Sequence, residues 1–271
     1  MTTIDINGTT IYYERTGGGP AVLFVHGMCG DADVWADQAR RLCDRYTCVR
    51  YDRRGHSRSH RGDAVVTDAL HADDVAALIE ALGLAPCLLV ASSAGAAIAV
   101  DVALRFGDLL RGAVFSEPPL LCLDRDAGKA MMDELVPRLE AATAAGGPRA
   151  AVDAFFSFLC PGLWSIIDEP RKDRYRDNAD IGFTDLRSPS LDVTADELAA
   201  VTVPALVLAG DTSHPALRSA AHRLAEALPD ARFVEFDHCG HVTYAEQPDA
   251  FASAISVFAG ELDRRATIAA R

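Results

Sequence analysis

Short apolar runs alternate with helix-forming stretches along most of this chain, and that alternation constrains the fold more than any other feature. Ala21 to Val25, Thr47 to Tyr51, Cys87 to Val90 and Gly112 to Ser116 read as strands. Trp35 to Asp44, Thr67 to Leu82 and Ala94 to Phe106 read as the helices around them. Strands that are apolar on both sides are the kind buried inside a parallel sheet. Parallel neighbours need right-handed crossovers, so the pattern predicts an α/β fold with helices on both faces of a mostly parallel sheet. Thr3 to Asn7 and Thr10 to Arg15 read as an added hairpin turning at Asn7-Gly8. Gly17-Gly18-Gly19-Pro20 precedes a strand instead of opening a helix, so it reads as a turn and not as a dinucleotide fingerprint.

The rhythm stops at Pro118 and resumes near Thr202 with Ala205 to Ala209 (strand), Ala216 to Leu228 (helix), Arg232 to Phe236 (strand) and Pro248 to Leu262 (helix). The stretch between holds helical segments at Lys129 to Ala145 and Pro148 to Leu159, then loops marked by Pro161, Pro170 and Pro189. Phe155, Phe156, Phe158, Leu159, Leu163, Trp164, Ile166 and Ile167 form an aromatic and aliphatic cluster that suits one amphipathic face. The expected division is a core of residues 1–118 and 201–271 with a helical cap inserted at 119–200. An ordinary helical packing layer is the alternative, and the pattern does not separate the two.

A chain of 271 residues with 49% hydrophobic residues can bury one large core. No apolar run reaches membrane-spanning length, and Met1-Thr2-Thr3-Ile4-Asp5 lacks the basic and apolar regions of a signal peptide. The expectation is a cytoplasmic protein. A net charge of −13 disfavours a nucleic-acid partner and suits a solvated acidic surface. Seven cysteines at 29, 43, 48, 87, 122, 160 and 239 include no Cys-x-x-Cys pair. Their scatter argues for reduced thiols and against zinc or a disulfide framework. Cys29 and Cys239 stand near the expected site, and packing is the default role for both.

The chemistry centres on Val90-Ala91-Ser92-Ser93-Ala94-Gly95, at the joint between an apolar strand and an alanine-rich helix. A serine on so sharp a turn is strained and pushed toward solvent, as a nucleophile must be. The expectation is that residues two before and two after it are small because their backbones nearly touch. Ser93 fits, with Ala91 and Gly95; Ser92 would require Val90 there. A serine hydroxyl needs a base within hydrogen-bond reach. His241, after the last strand in Asp237-His238-Cys239-Gly240-His241, is the favoured base, ahead of His238. His71 and His222 fall on helices, and His56 and His60 lie in an arginine-rich loop.

Two carboxylates compete to orient the imidazole. Asp211 follows the strand Ala205 to Ala209, but a Gly-x-x-Asp count from Gly210 lands on Ser213, so Asp211 is early and suits a cap on the next helix. Glu117 follows the strand Gly112 to Ser116 and precedes Pro118-Pro119. The helix Ala94 to Phe106 runs roughly 20 Å away from the nucleophile edge at about 1.5 Å per residue. The returning strand ends at that same edge, about 5 Å over. Geometry therefore favours Glu117. For the developing oxyanion, the backbone N–H of Ala94 is one donor. The second expected donor is the N–H of Met28, in Val25-His26-Gly27-Met28-Cys29-Gly30, where His26 braces the loop. Arg53, Arg54, Arg58 and Arg61 read as braces between turns, with no role in the site.

Together, His26-Gly27-Met28, Tyr51-Asp52-Arg53-Arg54-Gly55-His56-Ser57, Ala91-Ser92-Ser93-Ala94-Gly95 and Gly240-His241 resemble the α/β-hydrolase superfamily over nearly the whole chain. That resemblance implies an eight-stranded, mostly parallel sheet, a helical cap after the sixth strand, and a Ser, acid, His order. Ser92 to Gly95 and Ser116-Glu117-Pro118-Pro119 are more narrowly similar to the branch that includes zearalenone-degrading lactonases. Members of that branch place a glutamate after the sixth strand, which implies Glu117 as the acid. The cap matches that branch poorly, and Trp164 falls away from its lid tryptophan.

The function expected is a serine hydrolase cleaving an ester or lactone of a small hydrophobic substrate, zearalenone-type macrolactones included, with no cofactor and no metal. Carbon–carbon bond hydrolysis, perhydrolysis or acyl transfer on the same fold is the first alternative. A binding module without useful turnover is the second. No nucleic-acid or membrane partner is expected, and a homodimer is left open.

Overall fold

Eight strands share one sheet in the computed structural model, which describes residues 1–62, 65–187 and 191–269. They are β1 (Thr3–Ile6), β2 (Thr9–Thr16), β3 (Ala21–Val25), β4 (Thr47–Tyr51), β5 (Cys87–Ser92), β6 (Leu110–Ser116), β7 (Ala205–Gly210) and β8 (Ala231–Phe236). The spatial order is β1-β2-β4-β3-β5-β6-β7-β8. β1 and β2 pair antiparallel, as does β2 with β4, and the remaining pairs are parallel. The chain leaves β3 toward β4 and then returns to place β5 on the other side of β3. Such a reversal opens a crevice beyond the carboxyl ends of the two strands, where ligands bind in open α/β sheets.

The helices follow from the same patterning. They are α1 (Ala36–Leu42), α2 (Asp68–Ala81), α3 (Ala94–Arg105), α4 (Arg125–Leu159), α5 (Pro161–Ile166), α6 (Glu169–Asp177), α7 (Ala179–Arg187), α8 (Ala195–Ala199), α9 (Pro215–Ala227), α10 (Thr243–Glu246) and α11 (Pro248–Ala269). Residues of α2, α3 and α9 cover one face of the sheet, where Val75, Ile79, Ile98 and Leu224 pack on Leu89, Ala113 and Val207. On the other face Trp35, Phe251 and Ile255 meet Phe24, Val90 and Leu208. All six residues of β5 and of β7 are buried, as their unbroken apolar runs require. No helix of the described residues is long and apolar enough to cross a membrane.

Between β6 and β7 lies the helical insertion, α4 to α8. α4 breaks at Gly147, whose φ of 74 lies in the left-handed region, and Pro148 restarts it. Pro161 and Pro170 do not mark loops. Each occupies the first turn of a short helix, α5 and α6, where a missing N–H costs nothing. Pro189 lies outside the described residues. The aromatic cluster is also not one face. Phe155, Phe156 and Trp164 turn inward over the sheet edge, Phe158 packs on His214, and Ile166 is 78% exposed.

Candidate active site

Ser93 stands between β5 and α3 with φ 55 and ψ −130, a conformation that costs a side-chain-bearing residue about 1–3 kcal/mol. Surrounding bonds impose it. The Ser93 N–H donates to the Ser116 carbonyl at 2.9 Å, and its own carbonyl accepts from Ala96 at 2.7 Å. The close approach at this turn differs from the expected one. A Cβ on Gly95 would lie 2.5 Å from the His26 carbonyl oxygen and 2.6 Å from that of Val25. Gly95 is therefore small because the chain leaving β3 passes beside it, and not because it meets residue 91. A Cβ on Gly27 would lie 3.0 Å from the Ser93 Cβ, so the same loop needs glycine from its own side.

His241 reaches this serine. Its Nε2 lies 3.0 Å from Ser93 Oγ, and its Nδ1 lies 3.1 Å from Glu117 Oε2. A carboxylate only accepts, so Nδ1 carries the proton and Nε2 is left to take the serine hydroxyl's proton. Glu117 is fully buried, and its backbone too is strained, with φ 53. A buried carboxylate needs partners. Oε1 accepts the Gly210 N–H at 2.8 Å, and Oε2 accepts the Ser213 hydroxyl at 2.5 Å as well as the imidazole.

Asp211 sits elsewhere. Its Oδ1 accepts the Cys239 N–H at 3.0 Å. The amides of His238 and Cys239 hold its carboxyl below the usual range. Nor does it cap α9; the His214 ring does that, accepting the Ala216 N–H at 3.2 Å. Ser213, at the Gly-x-x-Asp position, donates to the glutamate that stands on the neighbouring strand.

Met28 and Ala94 line the same cleft as Ser93 and His241. Among the described residues no hydrogen bond occupies either backbone N–H. His26 is buried, with Nδ1 donating to the Gly27 carbonyl at 2.9 Å and Nε2 accepting the Arg53 N–H at 2.9 Å. Burial holds its pKa well below the ordinary value, so it stays a neutral brace. Arg54 pairs with buried Asp74, and Arg58 with Asp52. Both bind turns together, away from the serine. Burial pushes the Cys239 thiol up to about 12, which removes it as a thiolate nucleophile.

One contributor escaped the sequence pattern. Asn178, between α6 and α7, donates from Nδ2 to the Cys29 and Gly30 carbonyls at 3.1 Å each, and its Oδ1 accepts the Ser57 N–H at 2.8 Å. It ties the insertion to the loop that carries Met28. A single asparagine among cap helices leaves no periodic signal that could have revealed this.

Two spaces meet at Ser93. One is a cleft of about 620 Å³ whose walls include Leu120, Met131, Leu135, Leu159 and Leu217. Charge enters it near its rim, where Arg125 pairs with Asp192 and Lys129 with Asp133. The other is a void of about 40 Å³, walled by Phe155, Phe156, Trp164, Tyr175 and Tyr244. Ser93, His241, Met28 and Phe155 border both.

A parallel sheet with a serine at a strained strand–helix joint, an imidazole beside it and a helical insertion above defines a hydrolase of the α/β class. Residues 22–254 match the model of the alpha/beta hydrolase family, and the chain belongs to that family. Hydrolase activity is what this membership supports. Over 123 residues, 45% of each chain, the sequence is 37% identical to the uncharacterized hydrolase YraK of Bacillus subtilis. It is 27% identical to 2-(acetamidomethylene)succinate hydrolase of Mesorhizobium japonicum, over 94% of this chain and 93% of the relative. The fold is also similar to the enol-lactonase of Burkholderia xenovorans, with a TM-score of 0.76 and 23% identity over 96% of this chain and 100% of that one.

Proposed function

We propose that this protein is a serine hydrolase that cleaves a carboxylic ester or lactone of a small hydrophobic substrate. Ser93 attacks the carbonyl while His241 takes its proton, and Glu117 stabilises the charged imidazole. The Met28 and Ala94 amides hold the oxyanion. His241 then protonates the leaving alcohol and activates water to release the acid. The carrying observation is the unbroken relay from Ser93 Oγ through His241 to Glu117, at 3.0 and 3.1 Å. Residues 119–200 act as the cap that selects substrate, and residues 1–118 and 201–271 supply the reacting groups.

The cleft argues for an uncharged, apolar substrate. Its inner wall is leucine and methionine, and its charged neighbours already face carboxylates at the rim. A dianion such as the succinate named for the Mesorhizobium relative would be desolvated there without a matching guanidinium. The second reading is a macrolactone of the zearalenone type, favoured by the Ser92–Gly95 and Ser116–Pro119 similarity and by a cleft of about 620 Å³, within the span of small-molecule pockets. The decisive experiment is hydrolysis of p-nitrophenyl acetate by the Ser93→Ala variant. A fall in kcat/KM of about a thousandfold or more is expected; turnover at the wild-type rate would end the proposal.

A further inference from the structure

The two spaces at Ser93 differ about fifteenfold in volume, 620 against 40 Å³. Granting the serine-hydrolase assignment, this asymmetry narrows the substrate. The carbonyl carbon must sit at Ser93 Oγ, with its oxygen toward the Met28 and Ala94 amides. The acyl chain and the alcohol then point to opposite sides, and one side is the small void.

The order of chemical events decides which. In the first half-reaction a bond forms between Ser93 Oγ and the acyl carbon, and the bond to the alcohol oxygen breaks. The serine's proton passes through His241 to that oxygen, and the alcohol departs. In the second, water attacks along the path the alcohol vacated and adds its OH to the acyl carbon, the bond from that carbon to Ser93 Oγ breaks, water's other proton passes through His241 to Oγ, and the acid leaves. The alcohol side therefore has to release a molecule and admit water while the acyl group stays in place. The broad cleft, which reaches the surface beside Arg125 and Lys129, allows that exchange. The small void does not. Met28, Phe155, Cys160 and Trp164 on its walls are buried, Phe156, Tyr175 and Tyr244 are half-buried, and about 40 Å³ leaves no passage for a bulky alcohol.

Those walls also resist widening. Phe156 stacks on Trp164 at 4.7 Å between ring centres, and Tyr175 meets both rings edge-on, at 4.9 and 5.8 Å. A close-packed aromatic wall gives way to an extra methylene only at a cost of about 1–3 kcal/mol. A void of about 150 Å³ holds a benzene ring, so one of 40 Å³ takes on the order of two carbons.

We propose that the substrate is an open-chain ester of a short acyl group, two to four carbons in all by that scaling, with a bulky apolar alcohol, because the aromatic void beside Ser93 seats the acyl chain and the 620 Å³ cleft seats the alcohol. A small-ring lactone, whose acyl and alcohol arms are tied together, cannot occupy both sides.

The test compares p-nitrophenyl acetate, butanoate and octanoate, and then methyl with 2-naphthylmethyl acetate, whose alcohols leave about equally well, on the full chain. Expected are a kcat/KM at least about tenfold lower for octanoate than for acetate, and a higher value for 2-naphthylmethyl than for methyl acetate. Trp164→Ala opens the void and should shrink the acetate-to-octanoate ratio. Octanoate turned over as well as acetate by the wild type would overturn the seating, whatever the variant does. The p-nitrophenol burst and covalent labelling separate the two levels of inference. A burst fastest with octanoate sinks only the seating. No turnover of any ester and no covalent labelling of Ser93 by a fluorophosphonate, in protein whose circular dichroism shows it folded, sinks the serine-hydrolase assignment and the seating with it.

Discussion

The carboxyl ends of β6 and β7 lie side by side at the same edge of the sheet, yet they deliver different chemistry. β6 ends in Glu117, fully buried, strained, and joined to an imidazole. β7 ends in Gly210, Asp211 and Ser213, and its acid turns away to the amides after β8. The donors explain the difference. A carboxylate can be buried here only where N–H and O–H groups converge, and Gly210 and Ser213 aim theirs at the β6 side. Asp211 is half-exposed and meets its needs from loop amides. An acid at a strand end is thus not equivalent to an acid in the site; its surroundings decide.

The comparison breaks most directly at Glu117. Glu117→Gln keeps the shape and removes the charge, and kcat for an activated ester should drop about 10³–10⁴-fold by stopped-flow assay. A drop for Asp211→Asn instead would reverse the assignment. Next in size is a transplant. Adding Ser213→Asp to Glu117→Ala moves the acid one strand over, and kcat should rise about tenfold or more above Glu117→Ala alone. No gain would mean that the β7 end cannot present a carboxylate to His241. Ser213→Ala strips one donor from Glu117, and a loss of about three- to tenfold in kcat is the expected result. Asp211→Asn should leave kcat within about twofold of wild type, as for a substitution away from the reacting groups.

The sheet was legible because both-sided burial writes itself into a strand as an apolar run, and Cys87–Val90 and Ala205–Ala209 are such runs. The turn at Ser93 was legible from the small residues around it, although the backbone that makes Gly95 necessary comes from β3, distant in sequence. A strand-end count placed Ser213 at an acid's position without revealing its partner, since a hydroxyl donating to a residue 96 positions away has no local signature. The insertion was hardest to read. Its helices bury residues toward the cleft and toward one another, so Phe155, Phe158 and Ile166 face three ways while sharing one apolar cluster in sequence. Asn178 belongs to the same class of the unreadable, a polar residue whose partners lie about 120 to 150 positions off.

That asparagine gives the insertion a pinned end. Its amide grips the strap holding Met28, and Arg174 nearby reaches Asp33 on the same flank of the core at 2.5 Å. Beside α9, Asp124 at the start of α4 accepts the Ser219 hydroxyl at 2.5 Å and pairs with Arg223 at 3.4 Å. The insertion is therefore held to the core at both ends of the cleft, by Asn178 beside the Met28 loop and by Asp124 beside α9. A helical layer anchored at two points can change its own lining without shifting the loop that carries Met28, because Asn178 fixes that loop from outside the cleft.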